Sequence, residues 1–480
     1  MFDTKAWNNN SFLSPQNAEL IIRFSDRKEL RDFNLDKDNS ALANFVSSYH
    51  YPVENWPLFL SADRVDEVKA MLEPLPAIAY KAIRTFFKNN PTLFSEYLNQ
   101  PDVLLAVLEQ HNLDSRELIM RQDVIYTNNE LKIIEINSGS NIGGWQLSLM
   151  EAQFREGLEL FNENQQTAFH HINVLEQILA TISKSIARIK KRKATGNIVL
   201  FRSYQDIPDK QNKMENFLHG YYDRIKPSHM QNGKLIFIND HKELEFTADN
   251  RVKVQGEVVD TVLLTAANNE EFLPHINIRL ISCYLADNIV LPDSPLHTVL
   301  SNKSVFALLH EPELKANWTP QERNYIERHI PWTARLRDCE IHYKGKCYNV
   351  YDLLLQNKDQ LVLKKGDGLQ GDDVHVGRFI DVQNWLEIGK RYMDQPLWLI
   401  QEFCEPDVLV LPLPDVAPEE NLYSSVWGFY SMDNHYQGAF VRVKPILHND
   451  GVINSARGAV ELAVFSESVS SESDVTTIEI

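Results

Sequence analysis

The apolar positions of this chain change period several times, and each change marks an element. Through residues 1–112 they recur every three or four places, as in ADRVDEVKAMLEPLPAIAYKAIRTFF and FSEYLNQPDVLLAVLEQH. That spacing predicts amphipathic helices, punctuated by Pro52, Pro57, Pro74, Pro76, Pro91 and Pro101. Around Thr127-Asn-Asn-Glu130 the period drops to two on both sides, the pattern of a β-hairpin. Helical spacing returns near 145–160 and 168–193; the second stretch ends in the basic run KSIARIKKRK, read as a solvated helix end. From Asn197 the runs NIVLFRSY, KLIFIND, ELEFTA, RVKVQG and VVDTVLLTAA predict short strands of an α/β subdomain. A helix opens near Asn302-Lys303. Another starts at Thr319-Pro320 with Glu322 and stops at Ile330-Pro331. The strands DQLVLKK and LWLIQEFCEP precede a second hairpin, NLYSSVWGFYSMDN with YQGAFVRVKPIL.

The first hairpin carries the most chemistry. A two-residue loop pairs Asp123 with Ile134 and places Asp123 and Glu135 on opposite faces. A three-residue loop over Asn128, Asn129 and Glu130 pairs Asp123 with Glu135 and Arg121 with Asn137, and we expect this register. The four polar groups then share one face, and Met120, Val124, Ile134 and Ile136 form the core face. Two carboxylates beside an amide oxygen suit a hard cation such as Mg²⁺. Opposed carboxylates with no cation between them repel. A solvated polar hairpin face fits the same pattern, so the reading needs a second cluster.

Composition narrows the classes. At 480 residues the chain exceeds one typical core. Its net charge of −18 argues against non-specific nucleic-acid binding and against an anionic membrane surface. Cys283, Cys339, Cys347 and Cys404 form no CxxC pair and no zinc spacing, so reduced thiols are expected. Cys404 is read as a buried spectator. Histidines 310, 329 and 375 show no metal spacing. The N-terminus has no secretory pattern, and no apolar run reaches a membrane span, so a cytoplasmic protein is expected.

The second cluster is LVLKKGDGLQGDDVHVG. It joins an apolar strand, lysines at its end, and a glycine-rich loop whose N–H groups can approach phosphate oxygens. It lacks the G-x-x-x-x-G-K-[ST] pattern. In order along the chain stand Arg121-x-Asp123, Glu135-x-Asn137, Asn302-Lys303, Ile330-Pro-Trp-Thr333, Val362-Leu-Lys364, Gly366–Gly371, Ile400-Gln-Glu-Phe403, Gly438-Ala-Phe-Val-Arg442 and Gly451-Val-Ile-Asn-Ser-Ala-Arg-Gly458. Over residues 115–465 this series resembles the circularly permuted ATP-grasp ligases, in particular the synthetase domain of glutathionylspermidine synthetase and its bacterial relatives. The metal-binding strand pair precedes the ATP lysines, which is the permuted order.

The resemblance over 115–465, with the periodicity and composition of the two ends of the chain, implies an α/β (α+β) fold in five parts. These are a mostly helical N-terminal region over 1–112, a metal-binding part of the ATP-grasp domain over 113–165, and a helix with a pre-ATP-grasp-like α/β subdomain over 166–295. An ATP-binding part over 296–465 and a disordered acidic tail over 466–480 complete it. Asp123, Glu135 and Asn137 would hold two Mg²⁺ ions on the nucleotide phosphates. Arg121 and Arg442 would stabilise the transferred phosphoryl group or acyl phosphate. Lys303 and Lys364 or Lys365 would contact ATP phosphates under the loop containing Gly366, Gly368 and Gly371. Gln401 and Glu402 would lie at the adenine and ribose end, and Ser138, Asn141, Asn454 and Arg457 would face substrate. Many relatives carry proline after the strand lysine where this chain has Lys365, so the choice of lysine stays open. The implied activity is ATP-dependent amide-bond formation between a small-molecule or peptide-like acid and an amine, through an acyl phosphate. A small-molecule kinase and an inactive nucleotide-binding scaffold are the alternatives.

Overall fold

The computed structural model describes residues 12–14, 17, 35–37, 49–111, 115–161, 169–189, 193–202, 207–264, 273–368, 371–411 and 422–467. Strand β1 (Leu58–Leu60) leads into helices α1 (Ala62–Leu72) and α2 (Leu75–Asn89). Helix α2 buries Ile78, Ala79, Ala82, Ile83, Phe86 and Phe87, a continuous stripe at helical spacing. The hairpin follows as β2 (Ile119–Thr127) and β3 (Glu130–Ser138).

The predicted α/β subdomain forms a three-stranded parallel sheet in the order Thr261–Leu263, Ile198–Phe201, Leu235–Ile238. Helices Pro208–Ile225 and Leu273–Leu285 belong to the same part of the chain. Next comes α3 (Ser304–His310). Helix α4 (Pro320–His329) starts with a reciprocal capping box between Thr319 and Glu322 and ends at Ile330, as its sequence signals predict.

A second sheet holds β4 (Thr333–Arg335), β5 (Leu361–Lys365), β6 (Val374–Val376) and β7 (Trp398–Glu402). Its order is β4-β7-β5-β6, all antiparallel, over a core that includes Leu353, Leu363, Trp385 and Ile400. The chain closes with β8 (Leu422–Met432), β9 (His435–Pro445) and β10 (Val460–Glu467). These join the first hairpin in the central sheet, ordered β1-β10-β9-β8-β2-β3, with short strands Leu409–Val410 and Phe169–His170 added on β8 and β10.

One boundary differs from the sequence reading. The tail expected from residue 466 begins later, because Ser466 and Glu467 are strand residues: Ser466 pairs with Leu60 and His170. Residues 468–480 lie outside the described residues. The N-terminal helices share one apolar core with the hairpin, α3 and the central sheet. Polar ties fix them further: Tyr80 Oη donates to Leu296 O at 3.1 Å, Tyr325 Oη to Met71 O at 2.6 Å, and Asn302 Nδ2 to Leu98 O at 2.8 Å. Among the described residues no helix is long and apolar enough to cross a membrane.

Candidate nucleotide and metal site

The hairpin reaches the expected pairing by an unexpected route. Its loop has two residues: Thr127 pairs with Glu130, and Asn128 and Asn129 take φ of 49° and 63°. Positive φ at both central positions is what a type I′ turn demands, and asparagine tolerates it. A regular ladder from this turn would pair Asp123 with Ile134. A β-bulge intervenes, so Val124 pairs with Ile133, Asp123 with Glu135 and Arg121 with Asn137. Ile134 is the extra residue. It is corrected from the core face to the cleft, where it sits with Ile125; Met120, Val124 and Ile136 are core, as expected.

The neighbouring strand makes room for this face. Asp123 stands opposite Gly428 on β8, and Gly428 opposite Phe440 on β9. A Cβ on Gly428 would collide with the Phe440 ring and lie 3.2 Å from Arg121 Cδ. The guanidinium carbons of Arg121 and Arg442 lie 5.5 and 5.6 Å from the centre of that ring, within cation–π range.

Each carboxylate has fixed cations beside it. Asp123 Oδ1 accepts from Arg121 Nε at 2.9 Å, and Arg442 Nη2 lies 2.7 Å from Oδ2. Burial works against the charged form of Asp123. The two guanidiniums outweigh it and hold the carboxyl below its ordinary range. Lys303 Nζ lies 3.0 Å from Glu135 Oε1 and donates to Gly368 O at 2.7 Å. Lys364 Nζ donates to Ile134 O at 2.9 Å, the carbonyl of the bulged residue. Burial, then repulsion from Lys303, lowers the Lys364 pKa to about 7 against a partial pull upward from Glu135.

Strand geometry separates the two lysines. Lys364 is buried in the cleft; Lys365 points away, half-exposed, and pairs with Asp367 at 3.1 Å. Gly366 packs on the start of α3, where a Cβ would come within 2.7 Å of Asn302 Oδ1 and Ser304 Oγ, and its carbonyl accepts from Lys303 N at 2.8 Å. Gly371, at φ +79°, lines the cleft, and its carbonyl accepts from Arg457 Nη1 at 2.9 Å.

Asp123, Glu135, Lys303, Lys364, Gly371 and Arg442 line one end of a cleft, while Arg121 pairs with Asp123 without lining it. Its wall is apolar: Ile125, Ile134, Val362, Val376, Val426 and Ile453. Sequence reasoning missed this wall, which assembles from positions scattered over both sheets. Gln401 and Glu402 sit on the same cleft; Gln401 Nε2 donates to Thr333 Oγ1 at 2.8 Å, and Glu402 pairs with Lys344 at 2.7 Å. Cys404 is buried as expected, yet it lines the cleft, and burial first of all raises its thiol pKa to about 12. Asn454 lines the cleft while its side chain caps Ala456 N.

Other candidates are placed elsewhere. Ser138 N donates to Ser301 Oγ at 2.7 Å, and Asn141 is exposed; neither lines the cleft. Asn137 donates through Nδ2 to Arg121 O at 3.3 Å and faces a second opening. The histidines act structurally: His310 contacts Pro331 O, His329 contacts Leu131 O, and His375 stacks by Trp398.

Among the described residues no cluster of three or more His, Cys, Asp or Glu side chains is arranged to hold a metal. Two adjacent carboxylates and an amide are a sparse donor set. They fit Mg²⁺, which commonly takes one or two carboxylates and fills its shell with phosphate oxygens and water. The same end of the cleft fits a polyanion: Arg442 is buried, and its Nε has no hydrogen-bond partner within the protein.

No family model matches the chain, and no curated protein does. Among solved structures, a glutathione synthetase-like effector from Globodera pallida, in its apo form, aligns over 95% of this chain and 98% of its own, with a TM-score of 0.57 and 13% identity. A candidate γ-glutamylcysteine synthetase from Methylobacillus flagellatus covers 82% and 88% at 10% identity, but its TM-score of 0.39 is too low to argue from. The first likeness spans nearly both molecules and concerns the fold. The chain therefore has a mixed α/β fold like that of the effector.

Proposed function

We propose that this protein is an ATP- and Mg²⁺-dependent carboxylate–amine ligase with a circularly permuted ATP-grasp domain. The observation that carries the reading is the paired Asp123 and Glu135 at one end of an apolar-walled cleft, ringed by Arg121, Arg442, Lys303 and Lys364. Such a cleft suits a flat base along the wall and phosphates at the charged end.

The residues divide the work. The apolar wall receives the base, with Gln401 and Glu402 at the ribose end. Lys303, Lys364 and the Gly366–Gly371 loop hold phosphates. Arg121 and Arg442 supply fixed positive charge where negative charge develops on the transferred group. Asp123 and Glu135, with Asn137 beside them, would hold Mg²⁺, which when bound offsets phosphate charge. A substrate carboxylate oxygen attacks the γ-phosphorus and ADP leaves. The amine nitrogen then bonds to the acyl carbon, the bond to phosphate breaks, and phosphate and a proton are released.

The test is a phosphate-release screen of the full chain with ATP, Mg²⁺ and paired pools of acids and amines. Phosphate release that needs both an acid and an amine supports the ligase. Hydroxylamine should intercept the mixed anhydride as a hydroxamate, and Arg121→Ala should suppress that product. A stable phosphorylated product, with no amide from any amine, identifies a kinase instead.

A further inference from the structure

In the empty cleft both carboxylates of the charged end already have their cations. Asp123 Oδ1 accepts from Arg121 Nε at 2.9 Å, and Oδ2 lies 2.7 Å from Arg442 Nη2 and 3.4 Å from Arg121 Nη2. Glu135 Oε1 lies 3.0 Å from Lys303 Nζ. Lys364 faces the same carboxylate and donates to Ile134 O. At the other end of the cleft Glu402 has its own partner, Lys344. The charged end therefore sets four basic side chains against two carboxylates. Positive charge stays in excess even with Lys364 unprotonated.

That excess decides which ligand the empty site accepts. A dication arriving alone would have to part Asp123 from two guanidiniums and Glu135 from Lys303. It would also stand among cations where little water screens them. An anion meets the opposite situation. Arg442 lines the cleft at 5% exposure, and its Nε has no hydrogen-bond partner. Lys364 gives one hydrogen bond, to Ile134 O, from an ammonium that carries three donors. Phosphate oxygens form charge-assisted bonds with such groups. As Arg442 and Lys303 turn to the phosphates, oxygens of Asp123 and Glu135 are released. The phosphates themselves then add the metal ligands that two carboxylates lack.

We infer that the resting site is a receptor for a metal-free polyphosphate chain, with Arg442, Lys303 and Lys364 as its donors, and that Mg²⁺ acquires a site only once that chain is seated. The inference rests on the ligase reading for the place of ATP in the cleft. Inorganic triphosphate free of metal is then a competitor of ATP. The apolar wall tells the two apart, because only a nucleotide has a base to lay along it.

Calorimetric titration of the full chain at neutral pH tests the site without turnover. The probes are MgCl₂ alone, and sodium tripolyphosphate, ATP and adenosine in EDTA. Tripolyphosphate and ATP should bind without metal, ATP the more tightly, and MgCl₂ alone should give no saturable heat. Arg442→Gln should weaken metal-free tripolyphosphate roughly tenfold or more, as expected for a lost charge-assisted bond. Asp123→Asn should strengthen it, because the guanidiniums lose the carboxylate that competes with phosphate. Glu135→Gln makes the same comparison at Lys303 and serves where Asp123→Asn does not fold. Saturable Mg²⁺ binding to the empty protein overturns the inference. So do tripolyphosphate and ATP that bind only with Mg²⁺, and carboxylate variants that bind metal-free tripolyphosphate no more tightly than the wild type. Adenosine that binds as well as ATP in EDTA places recognition on the base and overturns it too. Hydroxamate trapping reads the ligase activity separately. Hydroxamate formation, with Mg²⁺ binding to the empty protein, removes the anion receptor and keeps the ligase. No hydroxamate from any acid, with metal-free tripolyphosphate bound and weakened by Arg442→Gln, removes the ligase and keeps the receptor.

Discussion

Lys364 is the residue whose surroundings most change its chemistry. From sequence it reads as a strand-end lysine; in the fold it is buried and its pKa falls to about 7. An unfolded chain holds this proton up to about pH 10.4. Between those values the unfolded state binds more protons, so this residue's contribution to stability rises with pH, by about 1.4 kcal/mol per unit. Lys364→Met should therefore be the more stable protein near pH 7, with its advantage shrinking as pH rises towards 10, measured by denaturant titration at several pH values. Phosphates placed beside the amine should restore its proton. ATP binding near pH 8 should thus take up a proton in calorimetry across buffers of different ionisation enthalpy, and Lys364→Met should abolish the uptake. Glu135 carries the opposite lesson. The motif suggests carboxylates that repel each other, yet Glu135 is paired with Lys303 and faces Lys364. Removing its charge leaves two lysines confronting each other. Glu135→Gln should lower the stability of the nucleotide-free protein by about 1–2 kcal/mol, less than a fully buried pair because Glu135 is partly exposed. A stability equal to or above the wild type would mean that the pair contributes nothing. Charge identity was legible in the sequence at these positions, but the neutralising partners were not, since they arrive from elements far away in the chain, as Lys303 does from the start of α3.

At the scale of elements, the alternating runs gave both hairpins, and the capping box gave the start of α4, because each signal is local. The bulge had no such signal. The turn residues fix a two-residue loop, and the correction at Ile134 answers to Lys364, which uses the carbonyl that the bulge frees. A second non-local device fixes the loop after β3. Asp293 accepts from Ser140 N and, at 2.7 Å each, from Ser140 Oγ and Leu264 N, while Gly139 leaves room for its carboxylate. The loop in turn presents Gly143 O to Arg121 Nη1 at 3.1 Å and to Tyr430 Oη at 2.7 Å. Asp293→Ala strands three donors. It should cost about 2–4 kcal/mol, given roughly 1–3 kcal/mol for each buried group left unsatisfied and some rescue by water. Hydrogen exchange should quicken at Ser140 and Leu264, and protection unchanged at both would contradict the role assigned to Asp293.

For the whole molecule, the helical pattern was readable over residues 62–110, while residues 1–11, 18–34 and 38–48 lie outside the described residues; its attachment was not readable, because amphipathic stripes show which face is buried and not against what. Those helices complete the core beneath the hairpin and α3, and Lys81 pairs with Glu322 of α4 at 2.7 Å. A chain begun at residue 113 should expose that apolar surface and fail to give a soluble, cooperatively unfolding protein, as judged by gel filtration and circular dichroism. Production of a monodisperse, stable fragment would show that the region is an accessory. The central sheet has one further consequence. Strand β10 lies between β1 and β9, and Tyr49 reaches Glu461 across 412 positions of sequence. During synthesis at about 5–20 residues per second, β1 must then wait tens of seconds for the strand that covers it. Until β10 leaves the ribosome, the nascent chain carries two unpaired strand edges, and both its dependence on chaperones and its tendency to aggregate should be greatest in that interval.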